Sequence, residues 1–525
     1  MKKKSVIFCL IAALCAAGAA DPAKPAGKAT AKPAAKPAAK RDIALVYTSG
    51  RAVPIRTALD AALARVWKSK GIGSVPEASD CVLVRRLYLD LTGRLPSPGE
   101  AKAYVDSADP EKYVKLADKL LASPAFTDYW SMKFGDLLRV KSEFPINLWP
   151  NAVYVYMRRI REFLGGDEPY DRFLGALLSA RGSNFRDAEV NFLRAHADRS
   201  PGGIAKGVLR TLYDMEMEAL SAEQRAAWTA IFEEVGFKST LEWKEEIVYR
   251  RGMPERKIFI PGGDALVTIP AGASALAVFA DRITRGAERE KIAEVMAERA
   301  WRWFFGSGLR GVDEEALKLL AREFLAGNCR FRRLCRTIVT SAAYRSASFQ
   351  PDAEKRAALF AAYPVRRLEA EVLDDAIGDL TRSRSRYSSV IPEPFTFIPA
   401  SMRTIEIEDG SISSSFLILF GRPSRDAGTS DERNDRINAK QRLFLFNSGA
   451  LFRKLLNIPR RGELRKLPFA RRIDAFYWLF YSRPAEAEEK EILMRYMKKT
   501  GKKQAAVEND LMWTLVNSAE FLHRH

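Results

Sequence analysis

Histidine and cysteine are nearly absent: three and five of 525 residues. A zinc hydrolase with several imidazole ligands is excluded by count. A Ser-His-Asp or Cys-His catalyst would have to use His196, oriented by Asp198, because His523 and His525 close the chain. Cys9 and Cys15 fall in the first twenty residues, leaving Cys81, Cys329 and Cys335, too few for a disulfide scaffold. On one helix Cys329 and Cys335 would stand about 9 Å apart along the axis, so they read as buried free thiols, with Cys81 as a core residue. There is no Cys-x-x-Cys-His, so no c-type haem and no other cofactor or metal is expected. No segment beyond the leader has the 18 or so uncharged apolar residues of a membrane helix, so the mature chain is expected to have no transmembrane span.

Three lysines, an apolar run of twelve residues from Val6 to Ala17 and the small residues Ala17-Gly18-Ala19 open the chain. That is the pattern of a cleaved secretory signal, residues 1–20, and predicts an exported protein, periplasmic, at the cell surface or extracellular. Leu14 before Cys15 argues against lipid attachment. Residues 21–41 are Ala, Lys and Pro with nothing to bury, a disordered spacer outside the fold. Residues 1–41 hold nine basic residues and one acidic one, which leaves 76 basic and 64 acidic residues, +12 of the total +20. A basic exported chain without a zinc finger or RNA-recognition motif is not expected to meet nucleic acid. Anionic polysaccharide or other envelope components suit that charge.

Helix signals dominate the rest. Ser97-Pro98-Gly99-Glu100 is a capping box with proline at the first helical position, and Asp109-Pro110 and Ser123-Pro124 repeat the start signal. Residues 42–199 therefore form an N-terminal helical domain. In 200–285 a helix over 222–234 precedes two β-rich runs that flank Pro261-Gly262-Gly263-Asp264, a hairpin over 255–269. Helices resume in a C-terminal domain, 286–525, interrupted by a Ser-, Arg-, Pro- and Gly-rich stretch at 383–438. Its aromatics Tyr387, Phe395, Phe397, Phe416 and Phe420 predict that it is ordered and packed. The fold class is mainly α: two helical modules joined by a small insert containing a β-hairpin.

Leu83 to Pro98 (LVRRLYLDLTGRLPSP), Leu120 to Pro124, Tyr129-Trp130 with Asp136 and Arg139, and Glu168 to Phe173 together resemble the planctomycete cytochrome-associated domain, domain of unknown function fifteen-forty-nine. Glu298 to Gly308 (ERAWRWFFGSG), Thr340 to Tyr344, Arg366 to Asp375, Phe420 to Arg425 with Glu432-Arg433, Gln441 to Asn447, Ser482 to Pro484 and Asp510 to Phe521 resemble its usual partner, domain of unknown function fifteen-fifty-three. The resemblance covers most of residues 60–525 and implies a family without an established activity. Many relatives carry a haem-attachment-like motif between the two domains. The corresponding stretch here resembles Gly207 to Glu218, with neither cysteine nor histidine, so the family's cytochrome association does not imply a haem in this chain.

Among charged residues, Glu371 and Asp375 share a helical face with Arg367 one turn earlier, beside Glu369 and Asp374. They are either an acid/base or oxygen-ligand set or an internal ion-pair network, and the network needs no metal. Asp90, set among apolar residues near Arg85, Arg86 and Arg94, should be partly buried on a cation or backbone partner as a structural hub. Arg422, Arg425, Asp426, Asp431, Glu432, Arg433, Gln441 and Asn447 form the best ligand-binding cluster, since guanidinium forks match carboxylate and sulfate oxygens. The same arginines would serve equally to pin the loop to its own carboxylates. The function expected is a non-redox binding or accessory role with complex or anionic polysaccharide. The alternatives are an Asp/Glu-dependent extracytoplasmic hydrolase and a haem-free accessory of an electron-transfer system.

Overall fold

The computed structural model describes residues 44–525 apart from 264, 435, 457, 459 and 460. The leader and the Ala/Lys/Pro stretch lie outside the described residues. The described chain is mainly helical, with antiparallel sheets of only two or three strands.

The local start signals act as their chemistry dictates. Ser97 Oγ accepts from the Glu100 amide while Glu100 Oε2 accepts from the Ser97 amide at 2.9 Å, opening helix Pro98–Asp106. Ser123 caps Pro124–Leu137 in the same way. The third signal works differently: Asp109 accepts from the Glu111 amide at 2.8 Å and the helix begins only at Lys112. Helix Asp80–Thr92 stops where Gly93 takes a left-handed conformation, φ 61°.

Helices of the two halves pack directly on each other around one continuous core. Trp130 and Phe134 of Pro124–Leu137 meet Trp303 of Arg289–Phe305 and Phe331 of Phe331–Thr340, with ring centroids 4.9–5.6 Å apart. Such edge-on aromatic contacts add to burial energy by about 0.5–1.5 kcal/mol each. Polar ties cross the same boundary: Asp60 Oδ1 accepts from the Ala342 amide at 2.7 Å and Arg289 Nε donates to Asp171 at 2.8 Å. Four residues from the chain end, Phe521 returns to the middle of the fold, and His523–Arg524 pairs with Arg366–Arg367 as a two-stranded ribbon.

The expected hairpin is present as Arg256–Ile258 against Val267–Ile269, with Asp264 of its turn outside the described residues. Beside it lies a three-stranded sheet that sequence reasoning missed, in the order Gly182–Ser183, Glu246–Arg250, Val235–Ser239. The helix expected over 222–234 ends at Thr229 because the chain must turn into that sheet. Glu234, buried at the turn, accepts from Arg256 at 2.6 Å and from the Ala275 amide at 2.8 Å, tying the insert to helix Ala275–Arg285. The 383–438 stretch is largely packed. Tyr387 bonds Thr404 at 2.7 Å and Phe416 stacks on Phe420, whereas Phe395 and Phe397 stay exposed.

Cys329 and Cys335 are buried free thiols, and Cys81 is half-buried. Burial pushes the Cys81 thiol up to about 11 and that of Cys329 up to about 12, so neither is a nucleophile at neutral pH. No helix among the described residues is long and apolar enough to cross a membrane.

Candidate functional site

Helix Ala370–Thr381 is buried along nearly its whole length, and its carboxylates therefore need partners. They find separate ones. Glu371, with no exposed side-chain surface, accepts from Arg433 Nη1 at 2.6 Å and lies 3.4 Å from Arg422 Nε. Asp374 accepts from Ser385 at 2.6 Å and Thr404 Oγ1 at 2.8 Å. Asp375 accepts from the amides of Thr404 and Ile405 at 2.8 and 3.1 Å, and burial pushes its carboxyl up to about 6. Arg367, expected one turn earlier on the same helical face, instead lies in the two-stranded ribbon and donates to the carbonyls of Phe420 and Asn434 at 2.7 and 2.6 Å. Glu369, which precedes the helix, takes Lys133 and Tyr129, the latter at 2.9 Å. Burial opposes its charge, but Lys133, Arg524 and Arg433 hold its carboxyl well below the usual range.

Asp90 is the expected hub with different partners. It accepts from the hydroxyls of Tyr344 and Tyr363 at 2.8 and 2.7 Å and pairs with Arg524 at 3.0 Å. Arg85 serves the carbonyls of Phe480 and Phe521, Arg86 those of Ser346 and His525, and Arg94 lies 3.8 Å from Asp128 and Glu406. His196 is buried with its ring against Phe192, while Asp198 bonds Ser200, so the suggested His-Asp pair is not formed.

The arginine loop faces inward. Arg425 is fully buried, pairs with Asp136 at 2.8 Å and donates to the carbonyls of Glu408 and Val140 at 2.7 and 3.2 Å. Arg422 donates to the carbonyls of Ile412 and Asp409. Arg433 spans the two buried carboxylates, Asp136 at 2.6 Å and Glu371 at 2.6 Å. Burial works against the charge of Asp136, yet Arg433 and Arg425 hold it below the usual carboxylate range. Glu432 accepts from the amides of Asp426, Ala427 and Gly428 at 2.9–3.0 Å and so shapes the loop, while Asp426 pairs with Lys141 at 2.7 Å. Gln441 donates to the Leu419 carbonyl at 2.9 Å and closes a cap with Asn438. Asp431 and Asn447 are exposed. Loop 420–447 and helix 370–381 thus share one buried ionic network, in which Arg425 is held by protein partners and Arg422 by carbonyls at its two Nη atoms, its Nε lying 3.4 Å from Glu371 without a hydrogen bond.

Above this network a cleft of about 80 Å³ opens where the two halves meet. Its floor is Lys133, Asp136 and Arg433. Arg210 and Asp214 come from the end of helix Pro201–Tyr213, and Arg299, Arg302 and Trp303 from Arg289–Phe305. Five cations and two carboxylates line it, and Glu369, Glu371 and Glu216 just behind the lining pair with Lys133, Arg433 and Arg210. Arg210 is engaged by Glu216 and Arg302 by Asp214 at 2.9 Å, but Arg299 is less well served. Its side chain is 8% exposed, it lies 3.8 Å from Asp214 Oδ1 and donates to the Arg210 carbonyl at 3.3 Å, and its Nη1, like Nε of Arg422 and nitrogens of other buried arginines, has no hydrogen-bond partner among the described residues. The wall requires Gly428: at φ 71° a Cβ would stand 2.6 Å from the Leu137 carbonyl oxygen.

Lys133, Asp136, Arg210, Arg299, Arg302 and Arg524 were missed as site residues. Asp136 and the ERAWRWFF segment were visible in the sequence, but their shared destination is a tertiary fact. A larger cavity of about 460 Å³ beside strand Thr48–Ala52 has its charges already paired, Asp80 with Lys112 and Arg483 with Glu489 and Glu520. Size alone does not make it the better site.

Residues 58–225 match the family model PSCyt2, protein of unknown function (DUF1549), and residues 277–497 match PSD1, protein of unknown function (DUF1553). The cleft draws on both matched segments. No curated protein and no solved structure matches the chain.

Proposed function

Since the chain belongs to the family that joins a DUF1549 to a DUF1553 segment, a family whose description carries no activity, we propose a function from the junction cleft. The protein is an exported, non-redox binding protein that recognises an anionic group of a complex polysaccharide, a carboxylate or sulfate, between its two halves. The observation that carries this reading is the convergence of Arg210, Arg299 and Arg302 on one cleft between the two matched segments, where Arg299 has only a 3.8 Å pair with Asp214 and a 3.3 Å carbonyl contact. A guanidinium so loosely paired has N–H capacity left that an oxyanion meets with a charge-assisted bond. The cleft is far below the roughly 300 Å³ of an ordinary small-molecule pocket, so it takes a charged substituent and leaves the sugar outside. The signal-like leader and the basic composition favour a ligand met outside the cytoplasm.

Binding is favoured over hydrolysis for a specific reason. Asp136, the carboxylate at the cleft floor, is held ionised by two arginines and so is a poor proton donor. The test is calorimetric titration of the protein with sodium sulfate and with digalacturonate at low and high ionic strength. Affinity should fall with salt, as screening of ion contacts requires, and fall again in Arg299→Gln. Equal affinity in wild type and Arg299→Gln would reject the cleft as the site.

A further inference from the structure

Three separate stretches of chain bring aromatic rings to one exposed surface away from the core. Trp243 is 70% exposed and Phe395 is 47% exposed, and Trp149 beside them is half-buried. Trp149 packs its ring on Phe395 at 5.3 Å, and Lys244 Nζ lies 5.3 Å from the ring centroids of both Trp149 and Trp243. The arrangement is tethered: Val390 N donates to Glu143 at 3.1 Å, and Asn184 Nδ2 donates to the Lys244 carbonyl at 3.2 Å.

Its backbone is strained at two of these residues. Trp149 has φ 74° and ψ 147°, a region that glycine alone enters without cost, and Lys244 has φ 64°. Trp149 is half-buried there, with its ring against Phe395. Strain of this kind persists where a side chain must be presented.

We propose that Trp149, Trp243 and Phe395 form a stacking platform for the neutral sugar rings of a glycan. The inference rests on the polysaccharide reading above but not on the cleft. The charges on the surface select this occupant. A bilayer or a protein partner would have to desolvate Glu143, Glu242 and Lys244 among the rings, which is costly. A pyranose instead offers a C–H face to each ring and hydroxyls to the charged groups beside it.

Tryptophan fluorescence during titration with cellohexaose, xylohexaose and mannohexaose tests the proposal. At least one should bind wild type with an affinity unchanged between roughly 50 and 500 mM sodium chloride, unlike a contact made by charge. Trp243→Ala should weaken that binding about tenfold, the scale of one lost stacking ring, and leave thermal unfolding as it was, since the side chain is exposed. Trp149→Gly should also lose affinity, with relief of backbone strain at that φ offsetting part of the packing lost with the ring. Arg299→Gln should bind these neutral sugars normally, so failure of the cleft and failure of the platform are separate results. Absence of binding to all three sugars, equal affinity in Trp243→Ala, or a wild-type dimer that Trp243→Ala dissociates would each overturn the assignment, the last giving the surface to a second copy of the chain.

Discussion

Replacing Arg433 by methionine probes the buried network most severely. The arginine joins Asp136 to Glu371 with two contacts of 2.6 Å, and the Glu371 side chain has no exposed surface. Methionine fills much of the same volume and removes the charge. Asp136 then keeps Arg425, while Glu371 keeps only Arg422 at 3.4 Å. Breaking a buried pair by deleting one partner costs about 3–5 kcal/mol, because the remaining charge stays out of water. Unfolding entropy near 2.1 cal/mol/K per residue gives about 1 kcal/mol/K for a folded region of this size, so the melting temperature should drop by about 3–5 °C. Adding Glu371→Gln to Arg433→Met should recover part of that loss, a coupling that a double-mutant cycle reads directly. Differential scanning calorimetry of the four proteins measures all of it. A drop below about 1 °C, or strict additivity of the two substitutions, would refute the view that these residues form one network.

His196 is buried, and burial followed by the nearby Arg139 charge keeps its imidazole well below 6.5. Below pH 6.5 the unfolded chain gains a proton there that the folded chain does not, so this contribution to stability is whole above 6.5 and is lost as pH falls. His196→Phe should flatten the acid limb of a stability-versus-pH curve by up to about 1.4 kcal/mol per pH unit. Gly428→Ala should lower the melting temperature and abolish anion binding together, because the added methyl meets the Leu137 carbonyl and Arg139 at the cleft wall; a stable, binding-competent variant in calorimetry would contradict this. Deleting residues 21–40 should leave the melting temperature unchanged, since that Ala/Lys/Pro stretch has no apolar face to dock.

Much of the fold was legible because its signals are local. Ser97 and Ser123 cap their helices within three residues, and the hairpin over 256–269 follows from alternating runs about a Pro-Gly-Gly turn. The link between loop 420–447 and the 366–375 segment was legible only as a question. Its answer lies in partners such as Asp136 and Arg433, 297 residues apart, which no periodicity connects. Arg422 and Arg425 look alike whether they meet a ligand or a buried carbonyl, since a guanidinium fork suits both. Likewise Arg524 reads as a chain-end residue, yet the ribbon with Arg366–Arg367 carries it to Asp90 and Glu369. Helix ends that depend on tertiary turns, such as Thr229 before the missed sheet, also escape local reading.

The central claim is that the loosely paired guanidinium of Arg299 marks the place where an oxyanion sits. A crystal of the protein soaked in selenate, a sulfate mimic with an anomalous signal, tests it most directly. An anomalous peak within hydrogen-bond distance of the Arg299 guanidinium, lost in a crystal of Arg299→Gln, is the predicted result. Selenate bound at other surfaces with none in the cleft would contradict it.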